Sequence, residues 1–142
     1  MGNIYFYRTD SGFCPVEKFL DSLPGKQAQK VVWVLKLIED LDVIPTQYLK
    51  KLKGTSDIWE IRVQIGNNNF RILGFFQEGN LIVLNHAFSK KSQKTPRKEI
   101  EIADFFVFIL LAICSCVIPD LILACRKRTP ILKFSYPSSK FS

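Results

Sequence analysis

Two arginines, a glutamate, the single histidine and two lysine clusters fall within residues 50–94 of this 142-residue chain. Arg62 and Arg71 carry planar guanidinium forks that match two oxygens of a phosphate at once. Lys50, Lys51, Lys53, Lys90, Lys91 and Lys94 read as cations suited to gripping a phosphate backbone. A lysine run is more often a solvated face, and only convergence of these six lifts them above that. His86 is the one side chain here that titrates near neutral pH without help. It reads either as an acid–base group or as a satisfied structural histidine. Glu60 reads as a base or as a partner for Arg62. The chemistry in view is recognition of an anion, with proton transfer beside it.

Alternation supplies the elements that hold these groups. From Asp57 to Ile65 the apolar Trp59, Ile61, Val63 and Ile65 take one face, and Glu60, Arg62 and Gln64 take the other, as a half-buried strand requires. Gly66 to Asn69 is a turn, because Gly and Asn tolerate positive φ. Residues 70–76 return as a second strand, residues 77–80 turn again, and residues 81–88 make a third. Antiparallel pairing across the first turn brings Arg62 and Arg71 nearly opposite. Like charges side by side on a sheet are unfavourable, so an anion between them would relieve a cost. An acidic protein or Glu60 itself fits that place too. Alternation alone does not say which face His86 takes.

Upstream, residues 4–7 form a short aromatic strand. Pro15 suits the first turn of a helix, and Val16, Phe19, Leu20 and Leu23 make its apolar stripe until Pro24-Gly25 ends it. A longer helix is expected over residues 26–41, with Ala28, Val31, Val32, Leu35, Ile38 and Leu41 on one face. Trp33 and Leu37 widen that stripe and read as core. The order is α+β: a helical pair against one sheet face, with the opposite face expected to stay open for a ligand.

A net charge of +7 favours an anionic partner. The excess is spread along the chain, with fifteen basic against eleven acidic residues up to position 103 and five against two after it. The four cysteines, at 14, 114, 116 and 125, share no zinc-ligand spacing with His86. They read as buried, reduced thiols, and no metal or cofactor is expected. Residues 1–10 lack the apolar core of a signal peptide, so a cytoplasmic location is expected.

Five stretches in order carry a family resemblance. They are Cys14 to Pro24, Lys51-Leu52-Lys53-Gly54, Ile58-Trp59-Glu60-Ile61-Arg62, Phe70-Arg71-Ile72 and Ala87 to Pro96. Over about residues 3–103 the chain resembles the RelE/HigB toxin superfamily, in its phage-derived HigB-like branch. The resemblance implies a RelE-like microfold and the toxin of a type II toxin–antitoxin pair. Such a toxin is a metal-free endoribonuclease that cuts messenger RNA on the ribosome. Its partner is an antitoxin, often a helix-turn-helix protein. In the family the end of the last strand commonly supplies a catalytic side chain, the place His86 occupies here. The chemistry also follows from the substrate. Cleavage by the RNA 2′-hydroxyl needs cations around the phosphorane, a base for the nucleophile and an acid for the leaving oxygen. Arg62, Arg71, His86 and Glu60 are the candidates. A second function class stays open: a ParE-like or degenerate toxin that binds gyrase or its antitoxin without cutting RNA.

The chain departs from the family after residue 103. Residues 105–118 are an uncharged, apolar run with Ser115 its one polar residue, and residues 105–125 are long enough to span a bilayer, with Pro119 and Asp120 inside. We therefore read residues 1–103 as the toxin domain and residues 104–142 as an atypical apolar tail. The tail is a membrane anchor, frame-changed sequence, or a helical hairpin covering the sheet.

Overall fold

The computed structural model describes residues 3–9, 11–55, 57–77, 81–91, 94–115 and 132–133. Strand β1 (Asn3–Phe6) leads into helices α1 (Pro15–Ser22) and α2 (Gly25–Asp40). Cys14 caps α1, its sulfur accepting from the Glu17 N–H at 3.4 Å, and Pro15 opens the first turn. Leu23 is extended at the C-terminal end of α1, as the following proline demands. Strands β2 (Leu49–Lys51), β3 (Ile58–Ile65), β4 (Asn68–Gln77) and β5 (Leu81–Lys90) follow, then helix α3 (Arg97–Ser115) and the short strand β6 (Leu132–Lys133).

The sheet order is β2-β3-β4-β5-β1-β6. β3, β4 and β5 form the expected antiparallel meander. The turn between β3 and β4 needs only two residues, because Gly66 takes φ +56° and Ile65 pairs directly with Asn68. That register sets Arg62 opposite Arg71. β1 pairs parallel with β5.

Both faces of the sheet are packed, which corrects the expectation of an open face. Ile61, Val63, Phe70, Ile72, Ile82 and Leu84 pack with Val16 and Leu20 of α1 and Val31, Leu35 and Ile38 of α2. On the other face Ile58, Leu73, Phe75, Val83 and Phe88 pack with Ala103 and Val107 of α3. Burying each such aliphatic side chain contributes about 1.5–3 kcal/mol, so α3 has reason to lie on that face. It runs without a break through residue 103, and Phe106 rests against Tyr7 with ring centroids 5.0 Å apart. Among the described residues, the polar end of β3 and β4 reaches solvent, with Gln64 and Asn68 exposed.

Trp33 is also corrected. It is 47% exposed, while Val34, the next residue of α2, is buried instead. Cys14 is buried and unpaired. The side chains of the other three cysteines and most of the apolar tail, residues 116–131, lie outside the described residues. Among the described residues no helix is long and apolar enough to cross a membrane.

Candidate active site

Glu60 is the first oddity of the sheet: a carboxylate with no exposed surface. It stands on the face that α3 covers, between two cations. Arg62 Nε donates to Glu60 Oε1 at 2.8 Å, and Arg71 Nε lies 3.3 Å from the same oxygen. The other oxygen accepts from the Thr95 hydroxyl at 2.5 Å. Burial alone would raise the Glu60 pKa. Hydrogen bonds from Thr95 and Arg62, with the charges of Arg62 and Arg71, outweigh it and leave the pKa below the ordinary carboxylate value. A carboxylate so held is ionised, shielded and fully engaged, which suits positioning the arginines better than taking a proton. The expected relief of Arg62–Arg71 repulsion is therefore supplied from within the chain.

The balance is nevertheless positive. Lys90 follows Phe88, the cross-strand partner of Arg71, by two residues and so shares this face. Burial depresses its pKa, Glu60 opposes that, and Arg71 and Arg62 depress it further. Arg71 is depressed likewise by burial, with Glu60 opposing and Arg62 adding. Three cations thus feel one carboxylate. Arg71 is held tightly, its side chain 12% exposed and its Nη1 donating to the Phe70 carbonyl at 2.9 Å. Among the described residues its Nε makes the ion pair with Glu60 but no hydrogen bond. Arg62 is the more open of the two, with a side chain 32% exposed.

Both arginines line a cleft of about 400 Å³ with Lys30, Val34, Gln47, Tyr48, Gln64 and Asn69. Among the described residues no acidic side chain lines it. The cleft exists because β2 is short. Its pairing with β3 begins at Leu49 opposite Ile61, and beyond Ile61 the Tyr48 carbonyl accepts from the Arg62 N–H at 2.8 Å.

His86 is not in the cleft lining. An irregularity at Leu73/Gly74 puts Asn85 out of register, so that His86 pairs with Leu73 while Leu84 pairs with Gly74. This bulge resets the alternation, and Asn85 and His86 both turn toward α3. Asn85, fully buried, donates to the Ala103 carbonyl at 3.1 Å. His86 Nε2 contacts the Glu99 carboxylate, and its ring stacks on Phe88 at 5.8 Å. The structure therefore separates His86 from the arginine cleft and ties it to the first turns of α3.

The lysines divide as well. Lys50 pairs with Glu60 across β2 and β3 and so lies on the arginine face, at the sheet edge. Lys51 pairs with Trp59, on the opposite face, and forms an ion pair with Asp57. Lys53 follows in the exposed turn after β2, and Lys91 and Lys94 are exposed beyond β5. The two clusters thus sit at different strands rather than along one edge. Among the described residues no group of acidic, histidine or cysteine side chains is arranged to hold a metal ion.

Residues 18–105 match the model of the phage-derived Gp49-like protein family (DUF891). The chain belongs to the Gp49-like family. It is also 36% identical over 106 residues to the probable endoribonuclease HigB1 of Mycobacterium tuberculosis, in strains CDC 1551 / Oshkosh and ATCC 25618 / H37Rv. That similarity covers 72% of this chain and 80% of the relative. The RelE/HigB resemblance is thereby borne out, and with it the α+β microfold. The Gp49-like match contains every residue of the arginine cluster, the cleft and the His86–Glu99 pair, and it ends inside α3.

Thr95, Glu99, Asn85, Lys30, Gln47 and Tyr48 escaped the sequence reading. Thr95-Pro96 followed by Glu99 is a helix-start pattern and was legible as one. Its use in gripping Glu60 and His86 depends on where α3 lands. For Asn85 and the cleft residues no local signal exists.

Proposed function

We propose that this chain is the toxin of a type II toxin–antitoxin pair, a metal-free endoribonuclease that cuts messenger RNA on the ribosome. The observation that carries the reading is the cross-strand Arg62–Arg71 pair, aligned by buried Glu60 at the wall of an open cationic cleft. Family membership and the activity named for the HigB1 relatives point the same way. The arginines hold the scissile phosphate by its non-bridging oxygens. The 2′-oxygen then attacks phosphorus as its proton leaves, and the 5′-oxygen departs with a proton. The products are a 2′,3′-cyclic phosphate and a free 5′-hydroxyl. The developing phosphorane charge meets donors already fixed on strands, so little reorganisation is needed. Lys90, on the same face as Arg71, adds a third positive charge beside the phosphate. Glu60 positions the arginines, and His86 with Glu99 fastens α3. Lys50 and the exposed lysines contact flanking phosphates, and an antitoxin neutralises this cationic surface.

The test is incubation of the purified full chain with translating ribosomes, followed by end-group analysis of the message. Cyclic-phosphate ends that vanish with Arg71→Ala support the reading. Intact message alongside arrested growth would move the chain to the non-enzymatic, ParE-like class.

A further inference from the structure

The cleft does not stay on one face of the sheet. Because β2 leaves the end of β3 bare, the cleft turns round that edge. Arg62 and Arg71 line it from the sheet, and Lys30 and Val34 line it from α2. Lys30 Nζ stands 3.8 Å from the centroid of the Trp33 indole. Trp33 is 47% exposed on a helix whose Val31, Val32, Val34, Leu35 and Ile38 are buried. A lone exposed tryptophan needs no explanation. One capped by a lysine that also lines a cationic cleft beside two phosphate-holding arginines has a specific use.

We propose that α2 extends the substrate track. A nucleotide of single-stranded RNA flanking the cleaved step is held with its phosphate at Lys30 and its base stacked on Trp33. The inference rests on the RNA-cleaving reading and adds a subsite to it. Single-stranded RNA is bound by cationic grooves with aromatic platforms, and stacking tolerates any base because each has a π-face. The Lys30 ammonium now lies within cation–π range of the indole, so a short swing of a flexible side chain frees the ring and delivers charge to the phosphate. The rest of the lining favours RNA over a protein partner. Among the described residues, Gln47, Gln64 and Asn69 are amides without side-chain hydrogen bonds, and Val34 is the one aliphatic side chain of the lining.

The measurement is equilibrium binding of the full chain to RNA oligonucleotides made uncleavable by 2′-O-methylation and lengthened stepwise on either side. Trp33→Ala lies on an exposed helix position and leaves the core intact. It should bind long oligonucleotides about tenfold or more weakly and the shortest ones as the wild type does. Trp33→Phe should recover most of the loss, and Lys30→Gln should flatten the salt dependence. Tryptophan fluorescence of the wild type should be quenched by the long oligonucleotides only. Equal affinities of Trp33→Ala and wild type at every length, while Arg71→Ala weakens binding, would overturn the α2 subsite and leave the active site standing. A wild type that binds none of the oligonucleotides would overturn the α2 subsite, and the active site is judged separately by cleavage on translating ribosomes.

Discussion

Glu60 carries the electrostatics of the site through one buried carboxylate shared by two guanidinium groups. Removing one partner of a buried ionic group costs about 3–5 kcal/mol when the rest stays buried. Here the arginines reach solvent in part, so Glu60→Gln should destabilise by about 1–3 kcal/mol, read as a lower melting temperature. The pH dependence follows from the lowered Glu60 pKa. Its contribution is complete above the ordinary value of 4.5 and is lost as pH falls through the lower folded-state value. Melts across that range should show wild type and Glu60→Gln converging in acid. A constant gap would mean that another group carries the effect. Arg71 belongs to the same scale. It is fixed on a strand flanked on both sides, and it offers two parallel donors where a lysine offers one compact charge. Arg71→Ala should lower single-turnover cleavage at saturating substrate by about 10²–10³, and Arg71→Lys should rescue little. Lys91→Ala should weaken binding without touching that limiting rate. Melts of each variant, matched to wild type, exclude misfolding as the cause.

At the scale of elements, the bulge in β5 decides which side chains meet α3, and Gly74 makes room for it. A Cβ at Gly74 would run into the Val83 carbonyl oxygen and come within 2.8 Å of Leu84 Cδ2. Backbone on one side and a packed core leucine on the other cannot both yield. Gly74→Ala should therefore destabilise by at least the 1–3 kcal/mol typical of overpacking, in contrast to an alanine placed at Gly25, which meets nothing within 4 Å. Denaturant titration of the two variants checks this. Comparable midpoints for Gly74→Ala and wild type would show that the bulge can shift to accommodate a methyl group.

At the scale of the whole molecule, the second core cluster is closed by a helix that begins in the charged family-like stretch and continues into the apolar tail. Val107 is 4% exposed and Ala103 fully buried, so a cut after residue 103 removes Val107, one of the α3 side chains buried over the sheet. It also shortens the helix below the length at which it is stable without packing. A chain ending at 103 should melt lower than one ending at 115 and should bind a hydrophobic dye more strongly. Equal melting temperatures would mean that the early turns of α3 suffice. Phe105 and Phe108 point outward, at 61% and 69% exposure, so the longer chain should still need care against association.

What the sequence determined by itself was local. Period-two alternation gave β3, and the turn signal over Gly66 to Asn69 gave the hairpin with Arg62 and Arg71 nearly opposite. The folded chain narrows that turn to Gly66-Asn67, which fixes the exact Arg62–Arg71 pairing. The stripes of α1 and α2 were legible for the same reason. Tertiary structure decided the rest. The carboxylate between the arginines needed Thr95, distant in sequence, to hold its second oxygen. The face of His86 turned on a bulge that no composition signals, and Trp33 left the core because Val34 took the place facing the sheet. The cleft itself is the space left where β2 stops and α2 passes the bare edge of β3. Such a space is set by the meeting of elements far apart in the chain, and no single stretch of residues encodes it.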